Sequence, residues 1–307
     1  MNIKYNGRTR KIEKGLTVSE AFKEEIQNSK YEVIGCLYNN EYRNLETEIE
    51  ENAKIELIDI SSKEGMKIYV RTIVYIMGKA FESLYPKEKL MVEYQLGNAM
   101  FCKCDNIPIT KEFINNLKEK MQEIIDKNLE IKKVEMTREE AKEFYKKTDT
   151  SKGRLQFDFK ENKEIYMYYC EKYYNYCYGV LSNRTGVIEK FDIVKYNSGF
   201  LIRYPSSKNP TEMPEFKETK KLAWALEEFE KIHSVLDVLT VYKLNKAIQE
   251  DRIQDIIMLA EALHEKKIAN IADDIAKRKN VKMVLIAGPS SSGKTTFAQR
   301  LGIQLRL

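Results

Sequence analysis

The stretch Lys282-Met-Val-Leu-Ile-Ala287 runs without a gap into Gly288-Pro289-Ser290-Ser291-Ser292-Gly293-Lys294-Thr295-Thr296. The first part is an apolar run of strand length, and the residues from Gly288 to Thr295 fit the pattern G-x-x-x-x-G-K-[ST]. The spacing predicts a strand, a phosphate-binding loop and a helix starting near Gly293. Gly288 and Gly293 allow backbone conformations that turn successive N–H groups inward around phosphate oxygens, and the helix adds its positive dipole end. Lys294 is expected to reach the β and γ phosphates and Thr295 to place its hydroxyl on Mg²⁺. Pro289, the three serines and Thr296 complete a loop of small residues. A serine-rich turn between a buried strand and an amphipathic helix is the plainer alternative. The strand-before, helix-after context favours a nucleotide site, with ATP and Mg²⁺ as its expected ligands.

Outward from that loop, a chain of 307 residues is long for one core, so several domains are expected. Lys and Arg number 52 against 47 Asp and Glu, a net charge of +5 that permits contact with RNA or phosphates without demanding it. No apolar run approaches the roughly 18 residues of a membrane span, and Met1-Asn-Ile-Lys4 begins a strand pattern, so a cytoplasmic protein with no membrane contact is expected. The five cysteines, Cys36, Cys102, Cys104, Cys170 and Cys177, have no disulfide or zinc spacing. His233 and His264 lack partners of ligand type nearby and read as helix-surface residues.

Residues 1–62 read as a small mixed unit. Asn2–Tyr5, a turn at Asn6-Gly7 and Lys11–Glu13 give a hairpin signal, and Thr17-Val-Ser-Glu20 resembles a capping box. Val33–Leu37, a turn at Asn39-Asn40 and Ile55–Ile58 complete a sheet around one helix, which describes a β-grasp unit. In residues 63–205 a long helix opens at Glu64. Further helices are read over Lys111–Lys127 and from Thr137, with a strand at Ile131–Glu135 between them. Tyr166–Tyr178 holds seven tyrosines, either a stacking platform for RNA bases or strand residues packing with wet hydroxyl tips. Phe191–Lys195 and Phe200–Tyr204 form a hairpin signal. After a polar linker rich in proline, residues 215–280 read as a helical connector with one helix around Trp224, one over Ile253–Leu263 and another over Ile268–Ile275. Residues 281–307 would begin a further domain.

Asn44–Leu57 resembles the end of the TGS domain of threonyl-tRNA synthetases, and Glu64–Tyr85 is similar to the opening helix of that synthetase's editing domain. In that family the helix carries two histidines four apart, and a Cys-x-x-x-His precedes a Thr-Gly. Here Arg71 and Tyr75 stand at the first pair, and Cys177-Tyr-Gly-Val-Leu181 precedes Thr185-Gly186, so only the cysteine of the four groups remains. The resemblance therefore implies a domain without editing hydrolysis and without bound zinc.

The whole order also resembles a bacterial family of uridine kinase-like nucleoside kinases, related through the P-loop domain to uridine kinase and phosphoribulokinase. That resemblance implies an α+β multidomain chain: a TGS-like unit (1–62), an editing-domain-like unit (63–205), a helical connector (215–280) and the first strand, loop and helix of a P-loop kinase domain (281–307). It implies transfer of the γ-phosphoryl of ATP to a nucleoside, with Lys294 as the catalytic cation. On this reading the kinase domain is incomplete at Leu307 and the chain alone inactive. The apolar stripe Phe297, Leu301 and Leu305 would then lie exposed. The competing expectation is a non-enzymatic RNA-binding or regulatory protein whose loop senses ATP.

Overall fold

The computed structural model describes residues 1–147 and 164–307. It divides into two units, Met1–Thr219 and Lys220–Leu307. Three sheets with helices between them make an α+β protein of more than one domain.

Asn6 and Gly7 both sit at positive φ, 47° and 77°, which gives a two-residue turn whose twist matches a hairpin. The turn joins β1 (Asn2–Tyr5) to β2 (Arg8–Lys11), so the second strand begins earlier than the Lys11–Glu13 reading. With β3 (Val33–Tyr38), β4 (Glu41–Arg43) and β5 (Ala53–Asp59) these form one sheet of order β2-β1-β5-β3-β4, in which β1 and β5 run parallel. Thr17 caps α1 (Val18–Ala21): the Glu20 N–H donates to its hydroxyl at 3.2 Å and the Thr17 N–H donates back to the Glu20 carboxylate at 2.9 Å. The helix breaks at Phe22 and resumes as α2 (Lys23–Gln27). Phe22 is fully buried with Ile3, Val18, Val33 and Tyr38 beneath the sheet.

Ile34 and Ile60 leave that core and pack with Met66, Ile68 and Ile73 of α3 (Lys63–Leu84). The first sheet is therefore sewn to α3 by apolar burial, the main driving term in folding. A polar tie reinforces the joint, since the Asn183 amide donates to the Glu46 carboxylate at 2.7 Å. On its other side α3 packs on α4 (Lys111–Asp126) and on a sheet of order β11-β12-β7-β6. Its strands are β6 (Leu90–Gln95), β7 (Ala99–Cys104), β11 (Asp192–Tyr196) and β12 (Gly199–Arg203).

The third sheet, order β10-β9-β8, consists of β8 (Lys132–Thr137), β9 (Glu164–Cys170) and β10 (Tyr173–Asn175). Thr137 caps α5 (Arg138–Lys147) with a second reciprocal bond pair to Glu140, as its sequence reads. Ala141 and Tyr145 of α5 bury Ile165 and Met167 of β9. The part of the 63–205 reading that falls on 148–163 lies outside the described residues.

The second unit is helical: α6 (Lys220–Val235), α7 (Val241–Gln249), α8 (Ile253–Ala276) and α9 (Lys294–Gln304). Its helices depart from expectation in two ways. Ile253–Leu263 and Ile268–Ile275 form one continuous helix, because His264-Glu-Lys-Lys267 contains no glycine or proline to interrupt it. Helix α7, capped by Thr240, has no counterpart among the expected helices. The strand expected over 282–287 is also not formed. A strand is stabilised by a ladder to a neighbour, and every described element of this unit is a helix. Met283 and Leu285 are 76% and 86% exposed. The stripe on α9 departs in part from its expected exposure: Leu301 is buried against Ile268 and Ala272 of α8 with Phe297 half-buried beside it, while Leu305 is 43% exposed.

Candidate functional site

Two places concentrate the residues singled out by sequence. The first is the wall of α3 that carries Arg71 and Tyr75, one turn apart. Tyr75, Leu181 and, at the margin, Cys177 come together in one buried cluster with Ile131, Tyr168, Cys170 and Tyr173. The Tyr75 hydroxyl points at the carbonyls of Tyr168 and Tyr173, at 3.1 and 3.2 Å, which lie 93 and 98 residues away in sequence. Its ring meets that of Tyr173 edge-on with centroids 5.1 Å apart. Burial drives the phenols of Tyr75 and Tyr173 far above their ordinary pKa, so both stay protonated. Three of these positions, Tyr75, Leu181 and Cys177, thus meet in an uncharged aromatic and aliphatic cluster, while Arg71 lies beside Gly179. Among the described residues no group of three or more His, Cys, Asp and Glu could hold a metal ion.

The tyrosine run divides by burial: Tyr168 and Tyr173 are buried while Tyr166 and Tyr178 are exposed, although Tyr166 and Tyr168 share one face of β9. The buried tips are not wet: the Tyr168 hydroxyl donates to the Gly179 carbonyl at 3.0 Å and accepts from the Leu181 N–H at 3.3 Å. Sequence reasoning missed Lys133, whose ammonium sits 3.9 Å above the Tyr166 ring centre. A lysine alternating with apolar residues on a strand was the available signal. It missed as well the buried polar pair of Thr72 and Ser182, in which the Ser182 N–H donates to the Thr72 hydroxyl at 3.0 Å. A mixed-charge cleft of about 650 Å³ on the first sheet, bordered by Lys4, Lys54, Glu25 and Glu56, contains none of the candidate site residues.

The second place is the loop 288–296. Ser291 and Gly293 take positive φ, 59° and 75°, and fold the loop back on itself. Side-chain crowding shows the tightness of the fold: a Cβ at Gly288 would stand 2.9 Å from the Ser292 hydroxyl oxygen. Gly293 is the N-cap of α9 and offers no capping side chain, so the first N–H groups of the helix, from Lys294 through Thr296, keep free hydrogen-bonding capacity. The Lys294 ammonium crosses the loop to donate to the Pro289 carbonyl at 2.6 Å. Gly288, Pro289, Ser290, Ser291, Ser292, Gly293, Thr295 and Thr296 are exposed, and Lys294 is half-buried. Open donors and one cation at a helix start suit a phosphate group. His233 and His264 are exposed helix residues, matching the sequence reading.

No family model matches the chain. It is similar to the probable cytoplasmic threonine–tRNA ligase of Enterocytozoon bieneusi, 29% identical over 203 residues that make up 65% of this chain and 31% of the relative. The threonine–tRNA ligase of Caldanaerobacter subterraneus subsp. tengcongensis is 28% identical over 191 residues, 62% of this chain and 30% of its own length. That of Clostridium kluyveri is 30% identical over 184 residues, 59% of this chain and 29% of its own. The chain spans less than a third of the length of these curated relatives.

These relatives correct the expected activity. They are ligases, and none of them carries the name of a uridine kinase, a phosphoribulokinase or any other nucleoside kinase. The reading of a phosphotransferase acting on a nucleoside is overturned. Its weakness was physical: a P-loop specifies an anion and a cation, not the group that accepts the phosphate. The relatives instead match the TGS-like and editing-domain-like part of the reading. No helix among the described residues is long and apolar enough to cross a membrane.

Proposed function

We propose that residues 1–205, organised as a TGS-like unit (1–62) and an editing-domain-like unit (63–205), contact transfer RNA in the manner of a synthetase front end without hydrolysing an aminoacyl ester. The observation that carries this reading is the similarity, over 184 to 203 residues, to threonine–tRNA ligases. Tyr75 supports the loss of hydrolysis, because its hydroxyl is buried and committed to backbone carbonyls where the resembling family has a histidine. Lone Cys177 is left without the histidines that such chemistry requires in the resembling family.

Residues 288–296 are proposed to hold the phosphates of ATP. The free N–H groups at the start of α9 and the Lys294 ammonium would face the β and γ oxygens, and Thr295 would hold Mg²⁺, which supplies charge neutralisation when bound. Lys294 would exchange the Pro289 carbonyl for phosphate, a stronger charge-assisted partner.

Titration of the full chain with a threonine transfer RNA transcript tests the RNA reading. Binding is expected to weaken steeply between 50 and 200 mM salt, since each neutralised phosphate contributes about −0.9 to the log–log slope for duplex. Affinity below that for an unrelated acidic polymer, or a flat salt dependence, would overturn it.

A further inference from the structure

The cleft on the first sheet opens where that sheet is incomplete. Strand β1 runs parallel to β5 but pairs with it only at Ile3↔Ala53 and Lys4↔Lys54, then leaves through the turn at Asn6 and Gly7. Residues 56–59 of β5 therefore have β3 on one side and no described strand on the other. The Asn39 N–H donates to the Lys54 carbonyl at 2.9 Å, so the Lys54 backbone faces β3. Backbone direction alternates along an antiparallel strand, which turns the N–H and carbonyl of Leu57 away from β3 and into the notch. Leu57 lines the cleft.

The notch has the form of a peptide groove. Its length of roughly 13 Å, at about 3.3 Å per strand residue, suits an extended segment of a few residues. Its volume of about 650 Å³ falls within the range of about 300–1,000 Å³ common for ligand clefts. Half-buried Leu57 and Tyr5 and buried Val33 give it an apolar lining, and helix α2 with the residues after it adds Glu25 and Ser29. Four of the five charged groups in the lining are engaged. Arg10 holds Glu25 at 2.6 Å, Lys54 and Glu56 pair with each other, and Asp59 accepts from the Ser61 N–H at 2.8 Å. Lys4 alone makes no hydrogen bond or ion pair with any described residue through its side chain.

We propose that this notch takes the carboxyl-terminal end of an extended peptide, added to β5 as an antiparallel strand with its terminal carboxylate on Lys4. The backbone groups of Leu57 supply ladder bonds, and apolar side chains of the segment meet Leu57 and Val33. The direction of the segment follows from the closed end of the notch. A strand lying in line with β1 runs into Tyr5, so it has to stop beside Lys4. An unpaired ammonium there favours a terminal carboxylate and repels a terminal amine. With its carboxylate at that end the segment runs opposite to β5, which gives the more stable of the two ladders. A peptide fits better than RNA, because the carboxylates of Glu25, Glu56 and Asp59 also line the cleft and repel a polyanion. This site is independent of the transfer RNA contact proposed for residues 1–205.

Hydrogen exchange of the full chain tests the open edge: the Leu57 amide should exchange about tenfold or more faster than that of Ile58, which pairs with Gly35 of β3. A random hexapeptide library with free carboxyl ends, and the same library amidated, then tests the ligand. Peptides are expected to be selected from the free-carboxylate library only. By fluorescence anisotropy, a selected peptide should bind Lys4→Gln about tenfold or more weakly, the scale of one charge-assisted bond, and its amidated form should weaken as much on the wild type. Bound peptide should also slow exchange at Leu57. Circular dichroism checks that the variant is folded, and Lys231→Gln, a lysine of the second unit, controls for net charge. Equal exchange at Leu57 and Ile58 in the free chain, or no selection beyond that of the amidated library, overturns the site. So does peptide binding that falls in Lys4→Gln only as far as in the control. An unpaired RNA whose binding is lost in Lys4→Gln, with no peptide selected, assigns Lys4 to nucleic acid and overturns the peptide site.

Discussion

The Tyr75 hydroxyl lies 3.1 Å from the Tyr168 carbonyl, inside a cluster that Leu181 helps to seal. One turn of α3 and one strand edge are thereby joined by a single proton donor in a dry environment. Tyr75→Phe leaves the ring in place and removes the donor, so two buried carbonyls lose a partner. The expected cost is about 1–3 kcal/mol in denaturant unfolding. A variant within error of the wild type would show that the bond contributes nothing.

The same cluster bears on metal. Arg71, Tyr75 and Leu181 supply no ligand of the imidazole type, and Cys177 alone cannot hold zinc against water. Elemental analysis of purified protein is expected to find no stoichiometric zinc. One tightly held zinc per chain, lost in Cys177→Ala, would contradict this.

Lys294 carries the only side-chain charge in the loop 288–296. A charge-assisted contact contributes about 1.5–3 kcal/mol, so Lys294→Ala should weaken MgATP binding by about ten- to a hundredfold. Calorimetric titration showing equal affinity for both proteins would remove the loop from any nucleotide site.

Alkaline stability follows from buried acids. Burial pushes the Cys36 thiol up to about 12, with Arg43 partly opposing, and pushes the Tyr69 phenol up to about 12 against the pull of its backbone hydrogen bonds. The unfolded chain releases these protons near 9 and 10, while the folded chain keeps them. The folded pKa values are raised, so this stability is complete below pH 9 and is lost as pH climbs toward 12. By pH 11 the two groups together should cost roughly 2–4 kcal/mol, read as a falling urea midpoint. A midpoint constant from pH 8 to 11 would rule out the effect.

Leu301 is 3% exposed and closes the small contact between α8 and α9. Leu301→Ala should open a cavity costing about 2–4 kcal/mol, enough to free α9 in a unit with little other core. Limited proteolysis should then cut between residues 277 and 293 faster than in the wild type. Unchanged cleavage would mean that α9 is held by other contacts, such as the Arg300–Glu265 ion pair at 2.6 Å.

Local chemistry was legible in the sequence. Thr17 and Thr137 announce their capping boxes, Asn6-Gly7 its turn, and the periodicity of 64–85 the long helix, because each depends on residues within a few positions of one another. The positions 71, 75, 177 and 181 were legible too, though only through resemblance to a family. What those positions build was decided by the tertiary structure. Tyr75 becomes a buried donor only because β9 and β10 bring carbonyls to it from 93 and 98 residues away, and burial depends on that distant packing rather than on neighbouring residues. Residues 282–287 show the converse. Lys-Met-Val-Leu-Ile-Ala has the composition of a strand, yet a strand is completed by the ladder beside it, and no described strand of the second unit supplies one.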